Sequence, residues 1–204
     1  MKKWISIAAA LLILTSASLG PITVLPIGSA LPESGRKMKD IGGKEIAMAD
    51  AAGENGLLVM FSCNTCPYVI KNEKRIHEIC TYARQHKIGV ILLNSNEAYR
   101  SGEDSYDEMK KYAAEQKYQW NYVVDNNHQV ADAFGANRTP ESFLFDKSLT
   151  LIYHGAIDDN PSDADAVTRR HLKEAINEML AGKEISIKES RSVGCTIKRL
   201  KTQM

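Results

Sequence analysis

Between positions 57 and 62 the chain reads LLVMFS, a short unbroken apolar run of the kind that forms a strand covered on both faces. From Pro67 to about His86 the pattern changes. Val69, Ile70, Ile76, Ile79, Cys80 and Ala83 recur at three- and four-residue intervals among charges, which predicts an amphipathic helix with Pro67 in its first turn, where a missing N–H removes nothing. Ile88 to Leu93 (IGVILL) predicts a second buried strand, and Ser105 to Lys117 a helix capped by Ser105 with Glu108 three residues on. Asn121 to Asp125 predicts a third strand and Gln129 to Phe134 a short helix. Beyond Asn137-Arg138-Thr139-Pro140, the runs Ser142 to Asp146 and Leu149 to His154 predict a hairpin turning at Lys147-Ser148. A last helix is expected from about Asp163 to Ala181, closed by Gly182.

Strands that alternate with helices and then end in a hairpin imply an α/β fold, with a mixed central sheet flanked by helices. The chain shows no internal repeat or low-complexity tract.

Composition adds little to that picture, whereas the N-terminus changes it. Lys and Arg total 26 against 25 Asp and Glu, so the balance points to no polyanionic partner and nucleic acid is not expected. Residues 1–20, MKKWISIAAALLILTSASLG, place two lysines before an apolar run and small residues after it, the pattern of a secretory signal peptide. The run is shorter than the roughly 20 residues that span a bilayer, so a membrane association is expected only through an uncleaved signal anchor. Residues 21–204 then form one exported domain, periplasmic or secreted, with residues 183–204 as a C-terminal tail.

Export makes the cysteines informative, because disulfides persist outside the cytosol. There are four, Cys63, Cys66, Cys80 and Cys195, and only the first two are close in sequence. In FSCNTCPY they stand where the first strand ends and the long helix begins, the edge at which open α/β sheets place their chemistry. Free N–H groups and the positive dipole end of a helix N-terminus stabilise a thiolate there. Two thiols three apart also allow one to attack and the other to resolve the resulting mixed disulfide. A structural zinc site would need a second ligand pair at short spacing, which Cys80, Cys195 and the five scattered histidines do not offer. An inert staple in so short a loop would be strained and readily reduced.

With strand, CxxC, helix and a later Thr139-Pro140 before a strand, the chain resembles the thioredoxin-like superfamily. The stretches MFSCNTCPYV, NRTPESFLFD, LIYHGAIDDN and VGCTIK more closely resemble bacterial peroxiredoxin-like proteins with an AhpC/TSA-type redoxin domain. That resemblance implies a thioredoxin-like fold, Cys63 as nucleophile, Cys66 as resolving partner, and Pro140 as a cis-proline beside them, with Thr139 presenting its backbone to a substrate. It implies protein thiols, disulfides or hydroperoxides as substrates and another thiol protein as electron donor. No cofactor is expected, since no nucleotide-binding glycine motif is present. A thiol:disulfide oxidoreductase, a thiol peroxidase and a non-catalytic binding module with the same fold all fit.

Three positions depart from the patterns. Leu57 stands where thioredoxins bury an acid. Cys63 stands where peroxiredoxins carry a Thr before a Cys aligned here with Cys66, and Pro140 stands where they carry an Arg. Arg138 is a candidate substitute for that Arg.

Other residues have plainer readings. Cys80 falls on the apolar stripe of the long helix and is expected in the core. Cys195, beside Gly194, is open to three fates: a third redox partner, a bridge to Cys80, or a free thiol. Asp158-Asp159-Asn160-Pro161 lacks calcium-loop spacing and reads as a helix-leading turn. Tyr99, Tyr106, Tyr112, Tyr118 and Tyr122, with Trp120, fall among charges and are expected on the outer face of the second helix region.

Overall fold

The computed structural model describes residues 23–200; the proposed signal peptide lies outside them. A small antiparallel pair, β1 (Met38–Lys39) and β2 (Glu45–Ile46), and a short helix α1 (Met48–Ala51) precede the main sheet. The sheet takes β3 (Leu57–Ser62), β4 (Gly89–Asn94) and β5 (Asn121–Val124) in parallel, and β7 (Glu141–Phe145) and β8 (Leu151–Gly155) antiparallel. Its order is β5-β4-β3-β7-β8. The connecting helices are α2 (Pro67–Gln85), α3 (Tyr106–Glu115), α4 (Gln129–Phe134) and α5 (His171–Leu180). Two short strands, β6 (Arg138–Thr139) and β9 (Cys195–Thr196), pair outside the sheet.

The unbroken apolar run of β3 is explained by its central place. Leu58 and Met60 enter a core shared with α2, α3 and α5, while Leu57, Val59 and Phe61 enter a second core with α1 and α4. Side chains alternate across a strand, so a strand covered on both faces has no position to leave polar. In the second core Phe61, Phe134 and Phe143 meet edge to face at 5.1–5.7 Å. Ser105 Oγ accepts from Glu108 N, as the capping pattern requires.

Three expectations need correction. The last helix starts at His171 rather than near Asp163. Asn160 Oδ1 accepts from Ser162 N and Asp163 N, and Asp159 Oδ1 from Thr168 N, so local side-chain bonds hold this stretch in turns and compete with a helix. Asp158 is more than a turn residue: it is buried and both its oxygens accept from Arg75 Nη1, which ties the loop after β8 to α2. Trp120 and Tyr122 do not face outward. Both are buried, Tyr118 packs on Trp120 at 4.9 Å between ring centres, and the Tyr112 and Tyr118 hydroxyls donate to the half-buried Glu73 carboxylate. Tyr99 is exposed, as expected.

Candidate active site

The right end of β3 delivers Cys63, and Cys66 is the N-cap of α2 with Pro67 as the first helical residue. The two residues between the cysteines are held from below. Asp104, fully buried, accepts from Asn64 N (2.9 Å) and Thr65 Oγ1 (3.2 Å), and also from Asn94 Nδ2 and Asn96 Nδ2, both at 2.8 Å. Tyr122 Oη donates to Asn64 Oδ1 at 2.8 Å. Asn64 and Thr65 therefore fasten the loop to the end of β4 and its following turn. Asp104 is a residue the sequence reading missed; the polar triplet Asn94-Ser95-Asn96 closing an apolar strand was the available signal. It also supplies a buried carboxylate where Leu57 left none, from a different element.

On the other side stands the turn into β7. The Thr139–Pro140 peptide is cis. Thr139 Oγ1 lies 3.5 Å from Cys63 Sγ, and Thr139 O lies 3.2 Å from Cys66 Sγ. Glu141, buried, accepts from Asn137 N and Arg138 N and so fixes the backbone that presents Thr139.

The fourth wall comes from the tail. β9 runs antiparallel to β6 with Cys195 opposite Thr139, and Cys195 packs against the core cluster that holds Cys63 and Cys66. This places Cys195 at the redox pair and not at Cys80, so the bridge to Cys80 is ruled out in this structure. Cys80 is fully buried on α2, and burial pushes its thiol up. Arg138 Nη1 donates to Gly194 O (3.3 Å) and Thr196 Oγ1 (3.5 Å), so it clamps the tail strand instead of facing a sulfur. Among the described residues no three His, Cys, Asp or Glu side chains converge as metal ligands.

The electrostatics separate the two sulfurs. Cys66 is pulled down to about 4, chiefly by a hydrogen bond from Cys63, with further help from Cys195, the Val69 N–H and Thr139, against the cost of burial. Cys63 is pushed up by donating a hydrogen bond to Cys66, by burial and by the Asp104 carboxylate. Cys66 Sγ donates to the Thr139 carbonyl at 3.2 Å, a contact that works against the lowering at Cys66. The thioredoxin resemblance makes Cys63 the nucleophile; the lowering at Cys66 favours the opposite order, which the two cysteine variants distinguish. The reduced protein is expected to carry one thiolate at pH 7. Because the Cys66 value is lowered, the thiolate absorbance near 240 nm should stay constant down to about pH 5 and vanish as pH falls through about 4, and Cys66→Ser should remove that step.

The model of the AhpC/TSA family matches residues 27–154, which include the CxxC loop, the cis-proline, four strands of the main sheet and all of β8 but its last residue. The chain belongs to the AhpC/TSA family. Among solved structures, this redoxin resembles an uncharacterized conserved protein from Geobacillus kaustophilus, at 29% identity and TM-score 0.80 over 87% of this chain and 94% of that one. It is similar to a hypothetical protein from Sinorhizobium meliloti 1021, at 28% identity and TM-score 0.79 over 87% and 97%. The thioredoxin domain of a thiol-disulfide oxidoreductase from Bacteroides vulgatus shares the fold at 18% identity and TM-score 0.54, over 65% and 89%. A search of curated proteins gave no match. The redoxin has a thioredoxin-like fold, and its family and neighbours support redox enzyme activity in general.

Proposed function

We propose that this AhpC/TSA-family protein is an exported thiol:disulfide oxidoreductase that cycles its Cys63/Cys66 dithiol. The observation that carries the reading is geometric: a pair of cysteines three apart, with Cys66 capping α2, stands against Thr139 and the cis-proline, and Thr139 touches both sulfurs. Cys66 attacks a substrate disulfide, a mixed disulfide forms and one substrate thiolate leaves. Cys63 then attacks Cys66 Sγ, releasing the second substrate thiol and closing the Cys63–Cys66 disulfide; two electrons have passed to the substrate. A thiol protein as donor returns them. Thr139 and Pro140 shape the substrate side, since the Thr139 main chain and hydroxyl touch the two sulfurs. Export rests on the pattern of residues 1–20.

A second reading, thiol peroxidase, is favoured by one observation. Cys63 and Cys66 are only 1% and 2% exposed, which suits a small oxidant such as a hydroperoxide better than a folded protein. In that chemistry Cys66 attacks the distal peroxide oxygen, an alcohol or water leaves, and Cys63 condenses with the sulfenic acid and expels water. Stopped-flow loss of thiols from the reduced protein separates the two, with hydrogen peroxide in one series and a small peptide disulfide in the other. Faster reaction with the disulfide supports the first reading and faster reaction with peroxide the second. Equal sluggishness with both overturns redox catalysis.

A further inference from the structure

The tail strand carries more than a covering role. Its backbone lies against Thr139 so closely that a side chain at Gly194 would place a Cβ 2.1 Å from Thr139 O. On either side of that contact the tail is fastened: Arg138 holds Gly194 O and Thr196 Oγ1, Ile197 N donates to Asn137 O, Ile197 is buried in the second core, and Lys198 N donates to Asn96 Oδ1. Asn96 is one of the side chains that hold Asp104, so the tail and the CxxC loop share a support. A glycine without a side chain is required at that spot, and the residue after it is a cysteine paired with Thr139, whose carbonyl lies 3.2 Å from Cys66 Sγ.

Access differs among the three sulfurs. Cys63 and Cys66 are almost sealed, whereas Cys195 is only half-buried. Exchange depends on access as well as on thiolate chemistry, so an external dithiol meets Cys195 more readily than either sealed sulfur.

We propose that Cys195 is a third redox cysteine, which takes the disulfide from the Cys63/Cys66 pair and presents it to the external dithiol reductant. This rests on the redox reading above. In the relay step the Cys195 sulfur attacks Cys66 Sγ, the Cys66–Cys195 bond forms, and the Cys63–Cys66 bond breaks. Cys63 leaves and takes up the proton that Cys195 gives up, with no net change in oxidation state. The reductant's first thiolate then attacks Cys195 Sγ and frees Cys66 as thiolate. Its second thiol closes the reductant's own disulfide and releases Cys195, so the two electrons arrive from the reductant. In the reduced protein burial, and after it the neighbouring Cys66, raises the Cys195 thiol; once Cys66 is in a disulfide the second of these is gone and Cys195 is freer to ionise.

The test uses the full chain, oxidised with one equivalent of a small aromatic disulfide, blocked with iodoacetamide and mapped as non-reduced peptides. Cys63→Ser should give an intramolecular Cys66–Cys195 link in most molecules. In parallel, reduction of the oxidised protein by thioredoxin should be at least tenfold slower for Cys195→Ser than for the wild type. Gly194→Ala, which keeps every sulfur but forces the tail off Thr139, should slow it likewise. Both results are required. If Cys63→Ser holds its adduct on Cys66 with Cys195 alkylated, or if Cys195→Ser is reduced as fast as the wild type, the relay is wrong. In those cases a wild type that still forms the Cys63–Cys66 disulfide leaves the redox reading standing, whereas a wild type that forms no intramolecular disulfide removes both.

Discussion

Cys66→Ser is expected to bring thiol loss and turnover down to background, a fall on the order of 10⁴-fold or more, because a serine hydroxyl is not ionised at neutral pH and no other thiolate is held in the site. Cys63→Ser should behave differently. It retains the attacking Cys66 and completes the first attack, then stalls at an adduct or at a link to Cys195. Stopped-flow thiol loss followed by mass analysis of the intact protein distinguishes the two. A dead Cys63→Ser with an active Cys66→Ser would restore the thioredoxin order and overturn the assignment of the charge.

Asp104→Ala carries the other large effect. It removes the acceptor of a backbone N–H, a hydroxyl and two amide groups at a position with no solvent access. Each donor left unpaired costs about 1–3 kcal/mol, and water entering the gap recovers part of that, so a loss of about 3–5 kcal/mol is expected. Against a total of about 5–15 kcal/mol for an ordinary domain, this decides whether much of the protein stays folded at body temperature. Urea unfolding measures it. Asp104→Asn keeps one acceptor oxygen and should lose less, with its amide NH₂ facing two donors. Both variants remove the charge that raises Cys63, so the second thiol of the folded protein should titrate at lower pH than in the wild type. A change in stability with no change in that titration would mean that Asp104 supports the loop without acting on Cys63.

The strands and helices were legible because burial writes a period into the sequence. β3 reads as a solid apolar run since both its faces are covered, and α2 as a stripe since one is. The pair of cysteines and the Thr-Pro turn were likewise visible as motifs. What was hidden arose from contacts between distant segments. Asp104 stands in a loop of glycine and acidic residues with nothing local to mark it, and its partners come from two distant stretches, the CxxC loop and the end of β4. Cys195 is linked to Cys66 through a two-residue strand pairing that no periodicity can announce, although Gly194 gave a hint of close approach. The start of α5 was misplaced because Asx turns after Asn160 satisfy the backbone in another way. The expectation about the tyrosines failed for a similar reason: charged neighbours in sequence were mistaken for neighbours in space.

The position of the tail strand at the far end of the chain has a consequence for how the protein is made. A chain emerges from the ribosome N-terminus first, so Cys63 and Cys66 are present, with Asp104 and the cis-proline turn, well before Gly194 and Cys195. For that interval the dithiol is assembled but uncovered, and an oxidant or a wrong thiol partner meets Cys66 without its shield. Residues synthesised long after the dithiol thus close the reactive centre, and a chain ended before Gly194 would stay in that vulnerable stage for its lifetime.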